Sequence, residues 1–249
     1  MWIRLETSLF TGMMCLKFFG LNMYVPRYGP AINDKWVLWG HDIYGVDSGR
    51  TKEYCNKMFE DLGVTCILPD FFRGADGRPD PIPVWNDELS RDWEDLLVPY
   101  LELGEAKSVG VVGTCFGSYI VMHASASGVG FIKGGVSIHP AHPGLMESAD
   151  EDEASIYSKI KSPQSFMDTP DSSETVREDG LASQVIDNVG LVFWIRCLSG
   201  FFQTFFTEYE DPCNHGFFNR GDLSDKAVEA CVNRAMADLL EFLMIFVVN

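Results

Sequence analysis

The chain has 249 residues, 46% of them apolar and 22% charged, with 23 glycines and 12 prolines. That composition suits one large α/β domain and excludes disorder, a collagen-like repeat and a disulfide-dense miniprotein. Lys and Arg number 19 against 36 Asp and Glu, a net charge of −17. This is the reverse of the cationic footprint that a phosphate backbone demands, so neither nucleic acid nor a membrane surface is an expected partner.

Seven cysteines, at positions 15, 55, 66, 115, 197, 213 and 231, form no C-x-x-C pair and no Cys/His cluster. They predict free thiols in a reducing, cytoplasmic setting, with neither a disulfide framework nor a structural zinc. The N-terminal region carries Glu6, a short apolar stretch over 8–16 and no A-x-A pattern, so no secretory signal is expected there. No stretch reaches the ~20 apolar residues of a membrane span. The nearest, 189–206, is interrupted by Arg196, Gly200 and Gln203.

In chain order, the runs 35–39 (KWVLW) and 64–68 (VTCIL) end at Gly40 and Pro69 and predict strands. Between them, over 48–62, Tyr54, Met58 and Leu62 recur at i, i+4 and i+8, the spacing of one helix face. A Gly/Pro-rich loop over 74–83, a helix over 87–103 and a strand over 108–112 follow. Then come a helical stretch over 116–126 and a strand over 135–138. The acidic run 146–156 is read as a solvated loop or helix start. Residues 223–248 open with Ser224-Asp225 and continue with apolar residues at helical spacing, a capped terminal helix. Alternation of this kind predicts a mostly parallel sheet with helices on both faces. No repeat or internal boundary is visible, so residues 1–249 are expected to form one domain.

Gly113-Thr114-Cys115-Phe116-Gly117 stands between a predicted strand and a predicted helix. A G-x-nucleophile-x-G turn in that context lifts a strained residue above the sheet edge, beside a helix N-terminus that favours thiolate. His215, followed by Gly216, precedes the last helix, where the base of an α/β-hydrolase is expected in the chain order nucleophile, acid, histidine. His41, His139 and His142 are weaker candidates, each more often a loop or core residue than a ligand.

Together, Trp39-Gly-His-Asp-Ile-Tyr-Gly45, Ser48-Gly-Arg-Thr51, Leu68-Pro-Asp-Phe-Phe-Arg-Gly74, Gly113-Thr-Cys-Phe-Gly117 and His215-Gly-Phe resemble the dienelactone hydrolase family. The resemblance runs from about Trp36 to the C-terminus. It implies an α/β-hydrolase that opens a small enol-lactone or ester through a Cys-His-Asp triad, with no metal and no cofactor. By the same resemblance Cys115 is the nucleophile and His215 its base. Asp42 stands where relatives carry an activating glutamate, and the Ile43 and Phe116 N–H groups form the oxyanion hole. Arg73 and Arg220 lie near positions that hold a substrate carboxylate. An ungapped count puts the triad acid on Ser172, so Asp171, one residue away, is the first choice, with Asp168 and Glu174 as alternatives.

Two stretches depart from the family pattern. The first ~18 residues do not resemble its N-terminal region, and 189–203 reads as an apolar insertion that must be buried, form a lid or leave an exposed patch. These departures motivate a second reading, a non-catalytic relative that binds a small molecule or a partner. A broader esterase or thioesterase is a third.

Overall fold

A computed structural model describes residues 4–7, 13–26, 34–75, 78–177, 179–189, 204–210 and 212–249. The described N-terminal elements are strands β1 (Arg4–Thr7), β2 (Met13–Phe18) and β3 (Leu21–Pro26), which run antiparallel to one another. The alternating part begins with β4 (Lys35–Gly40), α1 (Thr51–Leu62) and β5 (Thr65–Pro69). Helical turns Trp85–Leu89 and Asp92–Leu97 lead into α2 (Val98–Leu103), then β6 (Ser108–Thr114), α3 (Gly117–Ala126) and β7 (Ile132–Ile138). Helices α4 (His142–Ser148) and α5 (Glu153–Tyr157) precede β8 (Gln164–Asp168) and α6 (Leu181–Val189). The remaining elements are β9 (Thr204–Glu208), α7 (Phe217–Arg220) and α8 (Lys226–Leu243).

The nine strands among the described residues join one sheet in the order β1-β2-β3-β5-β4-β6-β7-β8-β9. From β5 to β9 every pairing is parallel, while β3 adds to β5 antiparallel with Tyr24 opposite Leu68. The atypical N-terminus thus extends the sheet beyond its parallel part. The α/β-hydrolase expectation of a mostly parallel sheet between helices holds.

The unbroken apolar runs follow from burial on both faces. Trp36 and Leu38 enter one core layer and Val37 and Trp39 the other, the two-residue period of a strand. The first layer includes Phe116, Tyr119 and Ile120 of the elbow and α3, and the second includes Ala235, Leu239 and Leu243 of α8. The Asp225 carboxylate accepts from the Ala227 N–H at 2.8 Å, the expected cap of α8.

Two expectations change and a third gains detail. The helix over 87–103 is broken into wider-wound turns ahead of α2, because Pro99 removes a backbone donor there. The acidic run spans the end of α4, a turn at Asp150 and α5, whose cap is Asp152. The prediction of free thiols fails at Cys213 and Cys231, which are joined by a disulfide with Cα atoms 6.1 Å apart. Spacing gave no sign of this pair because the tertiary fold, laying α8 beside the loop after β9, brings the sulfurs together. Of the apolar insertion, residues 190–203 lie outside the described residues. Among the described residues no helix is long and apolar enough to cross a membrane.

Candidate active site

Parallel strands β4, β6, β8 and β9 bring their C-terminal ends to one edge of the sheet, where α/β folds place ligand sites. Cys115 follows β6 in the left-handed region, at φ 52°. A side chain there costs free energy, and the surrounding contacts hold it. The flanking glycines are demanded by the crossing of α3 over β4 and β6. A Cβ on Gly117 would fall 2.1 Å from the Gly40 carbonyl oxygen, and one on Gly113 would fall 2.1 Å from that of Gly117. The Cys115 N–H donates to Ile138 O at 3.1 Å, and its carbonyl accepts from the Ser118 hydroxyl at 2.6 Å. The Ser118 oxygen in turn accepts from the N–H groups of Ala141 and His142, each at 3.0 Å.

Cys115 is only 7% exposed. Burial pushes its thiol up from the ordinary range, while the Ile43 and Phe116 N–H groups, donating toward the sulfur, pull it down. Two donors from different chain segments therefore converge on the Cys115 sulfur, an arrangement able to stabilise an oxyanion. Asp42 is fully buried. Its carboxylate accepts from Ser48 Oγ at 2.7 Å, from the Tyr44 N–H at 2.9 Å and from Arg220 Nε at 3.2 Å. The Arg220 guanidinium also lies 4.3 Å from the centre of the Tyr44 ring.

His215 occupies the loop between β9 and α7, and Gly216 beside it adopts φ 87°. A Cβ on Gly216 would meet Arg220 Nη2 at 2.5 Å. Burial pushes His215 below its ordinary range, opposed by the charge of Asp171. Asp171 Oδ1 accepts from the backbone N–H of His215 at 3.2 Å. That bond runs to the backbone, and among the described contacts none joins the His215 ring to a carboxylate or to the sulfur of Cys115. Asp168 instead lies at the end of β8, 3.5 Å from Arg177 Nε, with Thr169 N–H donating to it at 2.9 Å. Glu174 is exposed at the start of a helical turn. Of the three candidate acids, only Asp171 is brought to His215.

The ring of His139 packs edge-on against His215, with centroids 4.7 Å apart. It is fully buried, has φ 39°, and is held well below the ordinary histidine range by burial and then by His215. Asn219, also fully buried, donates to the hydroxyls of Thr51 at 3.0 Å and Thr114 at 3.1 Å and faces His139. Arg50 donates to the carbonyls of Phe217, Phe218 and Gly221 at 3.1, 2.7 and 2.8 Å, tying the start of α1 to α7. Sequence reasoning did not single out Arg50, Ser118 or Asn219 and read His139 as loop or core. Asn219 lies four residues after His215, the one local signal available.

Arg73 is placed differently from the resemblance. Its Nη1 and Nη2 form a fork on Asp92 at 3.1 and 2.7 Å, and its Nε lies 3.0 Å from Glu88. Its three donor nitrogens face carboxylates of the chain itself. Among the described residues no group of three or more His, Cys, Asp or Glu could hold a metal ion.

Comparisons with known proteins bear on the fold and the family. Carboxymethylenebutenolidase homologs from rat and human are 26% identical over 157 residues and 27% over 158 residues, in each case 59% of this chain. The chain spans the same 59% of their length. Among solved structures, Est1E from Butyrivibrio proteoclasticus superposes with a TM-score of 0.60 at 14% identity, covering 92% of this chain and 98% of that one. A dienelactone hydrolase from Anabaena variabilis gives 0.53 at 14% identity, covering 98% and 99%. Likeness at that identity shows a common α/β-hydrolase fold. The model of the dienelactone hydrolase family matches residues 26–246, and the chain belongs to that family.

Proposed function

We propose that this chain hydrolyses small esters or lactones through Cys115, with His215 as the base and Asp171 as the carboxylate that supports it. The observation that carries the reading is the strained position of Cys115 at φ 52°, with the Ile43 and Phe116 N–H groups converging on its sulfur. A substrate carbonyl oxygen entering that space takes over the two donors. The His215 ring, neutral because burial lowers its pKa, accepts the thiol proton as sulfur bonds to the carbonyl carbon. The electron pair displaced onto oxygen is held by the two N–H groups. When it returns, the carbon–oxygen ester bond breaks and His215 passes the proton to the leaving oxygen. Water then attacks the thioester, with His215 taking its proton, and releases the acid and the Cys115 thiol. An enolate leaves with less help from acid than an alkoxide, so an enol-lactone depends less on that proton transfer.

The test is turnover of p-nitrophenyl acetate and of a dienelactone by the parent, Cys115→Ala and Cys115→Ser. Loss of at least about a thousandfold in Cys115→Ala is expected. A parent acylated by one acetyl group, located to the Cys115 peptide by mass, is expected in the first turnover. Parental turnover by Cys115→Ala overturns the proposal.

A further inference from the structure

A base that takes the Cys115 proton must keep its own ring proton on the nitrogen turned away from the sulfur, and an acceptor has to hold it there. Asp171 meets His215 at the backbone N–H. Asp42 already accepts from Ser48, Tyr44 and Arg220. The ring of His215 packs instead on that of His139, with centroids 4.7 Å apart.

His139 is a costly residue for that position. It is fully buried just after β7 with φ 39°, and its backbone N–H donates to Met167 O at 2.9 Å, which holds it against β8. Neither of its ring nitrogens has a hydrogen-bond partner. Phenylalanine would fill the same space without leaving two polar atoms unpaired, so packing alone does not call for an imidazole.

Asn219 supplies the complementary half. Its Nδ2 donates to the hydroxyls of Thr51 and Thr114 at 3.0 and 3.1 Å. Thr51 uses its own hydroxyl hydrogen on Ser48 O at 2.9 Å, so it can only accept from Asn219, and this orients the amide. Asn219 Oδ1 is left without a partner, and the side chain faces His139. Burial keeps His139 neutral, and a neutral imidazole has one donor and one acceptor nitrogen. With its N–H given to Asn219 Oδ1, its other nitrogen is an acceptor beside the His215 ring. Thr114, which Asn219 also holds, immediately precedes Cys115, so one amide ties this ring pair to the elbow.

We infer that His139 is a positioning residue for the proposed hydrolysis, its acceptor nitrogen taking the ring N–H of His215 while Asn219 accepts the N–H of His139. The order Cys115, His215, His139, Asn219 then fixes the base in one tautomer. The two rings pair by turning about their side-chain torsions, and hydrogen bonds of this kind tighten when substrate is bound. Asp171 keeps its part through the loop backbone and its charge. The inference rests on Cys115 and His215 being nucleophile and base, and it adds a neutral ring partner to that reading.

The experiment compares the parent with His139→Phe and His139→Gln on p-nitrophenyl acetate. Phenylalanine keeps a ring and removes the acceptor, whereas glutamine removes the ring and restores an acceptor for His215 and a donor for Asn219. In His139→Phe, kcat is expected to fall about thirtyfold or more with KM within about twofold of the parent, and His139→Gln should recover to within about fivefold. A role in packing alone would rank the two variants the other way.

The pairing is also read without turnover, by magnetic resonance of the full chain carrying isotope-labelled histidine. The chain has five histidines, and the signals of His215 are those lost in His215→Gln. A nitrogen–nitrogen coupling between His215 and His139 across the shared hydrogen is expected, in the free protein or with trifluoroacetone added. In that adduct the Cys115 sulfur bonds to the carbonyl carbon and His215 takes the thiol proton. Parental kcat in a folded His139→Phe, or equal losses in the two variants, overturns the inference. If neither variant folds, the parent decides it, since absence of the coupling in both states overturns it as well. Turnover that persists in Cys115→Ala overturns the proposed function instead, and the coupling still decides whether the two rings are paired.

Discussion

Cys115 is set by a backbone crossing that five consecutive residues announce, whereas His215 is held by tethers that no short stretch of sequence announces. The elbow is fixed by Gly113, Gly117 and Ser118 and by the end of β7. The His215 loop is anchored through Arg50, 167 residues before Phe217, through Asp171, 44 residues before His215, and through the Cys213–Cys231 disulfide. A position built from backbone crossing can be read in five residues, while one built from long-range tethers cannot. The two regions should therefore fail differently. Damage at the elbow should cost the fold, and damage at the loop should cost placement of the base.

The largest effect is expected at the elbow. Gly117→Ala drives a methyl group into the Gly40 carbonyl, and we expect a loss of about 4 kcal/mol or more of stability in urea unfolding. A variant within about 1 kcal/mol of the parent would show that the crossing can relax, removing the contrast between the regions.

At the loop, Cys231→Ser opens a link that closes 18 residues of chain. A stability loss of about 3 kcal/mol is expected, and a reductant should bring the parent to the same value. The comparison sharpens if kcat falls along with stability, because Cys213 is two residues from His215.

Asp171→Asn keeps the shape of the side chain and removes its charge. Turnover is expected to fall about a hundredfold, roughly 2.7 kcal/mol of transition-state stabilisation. Asp168→Asn should change turnover much less, since Asp168 faces Arg177. Equal losses in the two variants would place the effect in the turn and not in one carboxylate.

The smallest expected effect is in the pH profile. In the proposed reaction His215 is the neutral base, and burial lowers its pKa against the pull of Asp171 and Asp42, with Arg220 assisting and His139 packed on its ring. Activity is lost as pH falls and the ring gains a proton, so the acid limb of kcat/KM should lie below the ordinary value of 6.5. His139→Ser, by admitting water, should move that limb upward by less than about one unit. A limb that moves downward would mean that His139 does not shield His215.

The same distinction governs how much was legible in the sequence. The run 35–39 and the helix after Cys115 were readable because strand and helix periods are local, and both appear as β4 and α3. The antiparallel β1 to β3 carry no family pattern, and their place beside β5 depends on a pairing between Tyr24 and Leu68. Cys115, Ile43, Phe116 and His215 were all named from motifs. An ungapped count already favours Asp171 over Asp168, and the turn after β8 adds what the count does not contain, sending Asp168 to Arg177 and Asp171 to the His215 N–H. The edge contact of His139 with His215 joins residues from separate strand ends, so no window of sequence contains it. The disulfide escaped for the same reason.

The covered, protonated state of the Cys115 thiol bears on survival as well as reaction. Peroxides oxidise thiolates far faster than thiols, and they must reach the sulfur to do so. The sulfur of a buried cysteine whose pKa burial raises is shielded on both counts. Its conversion to sulfenic acid should therefore be slow. A cysteine at this elbow can persist through oxidative conditions that would inactivate a permanently ionised one.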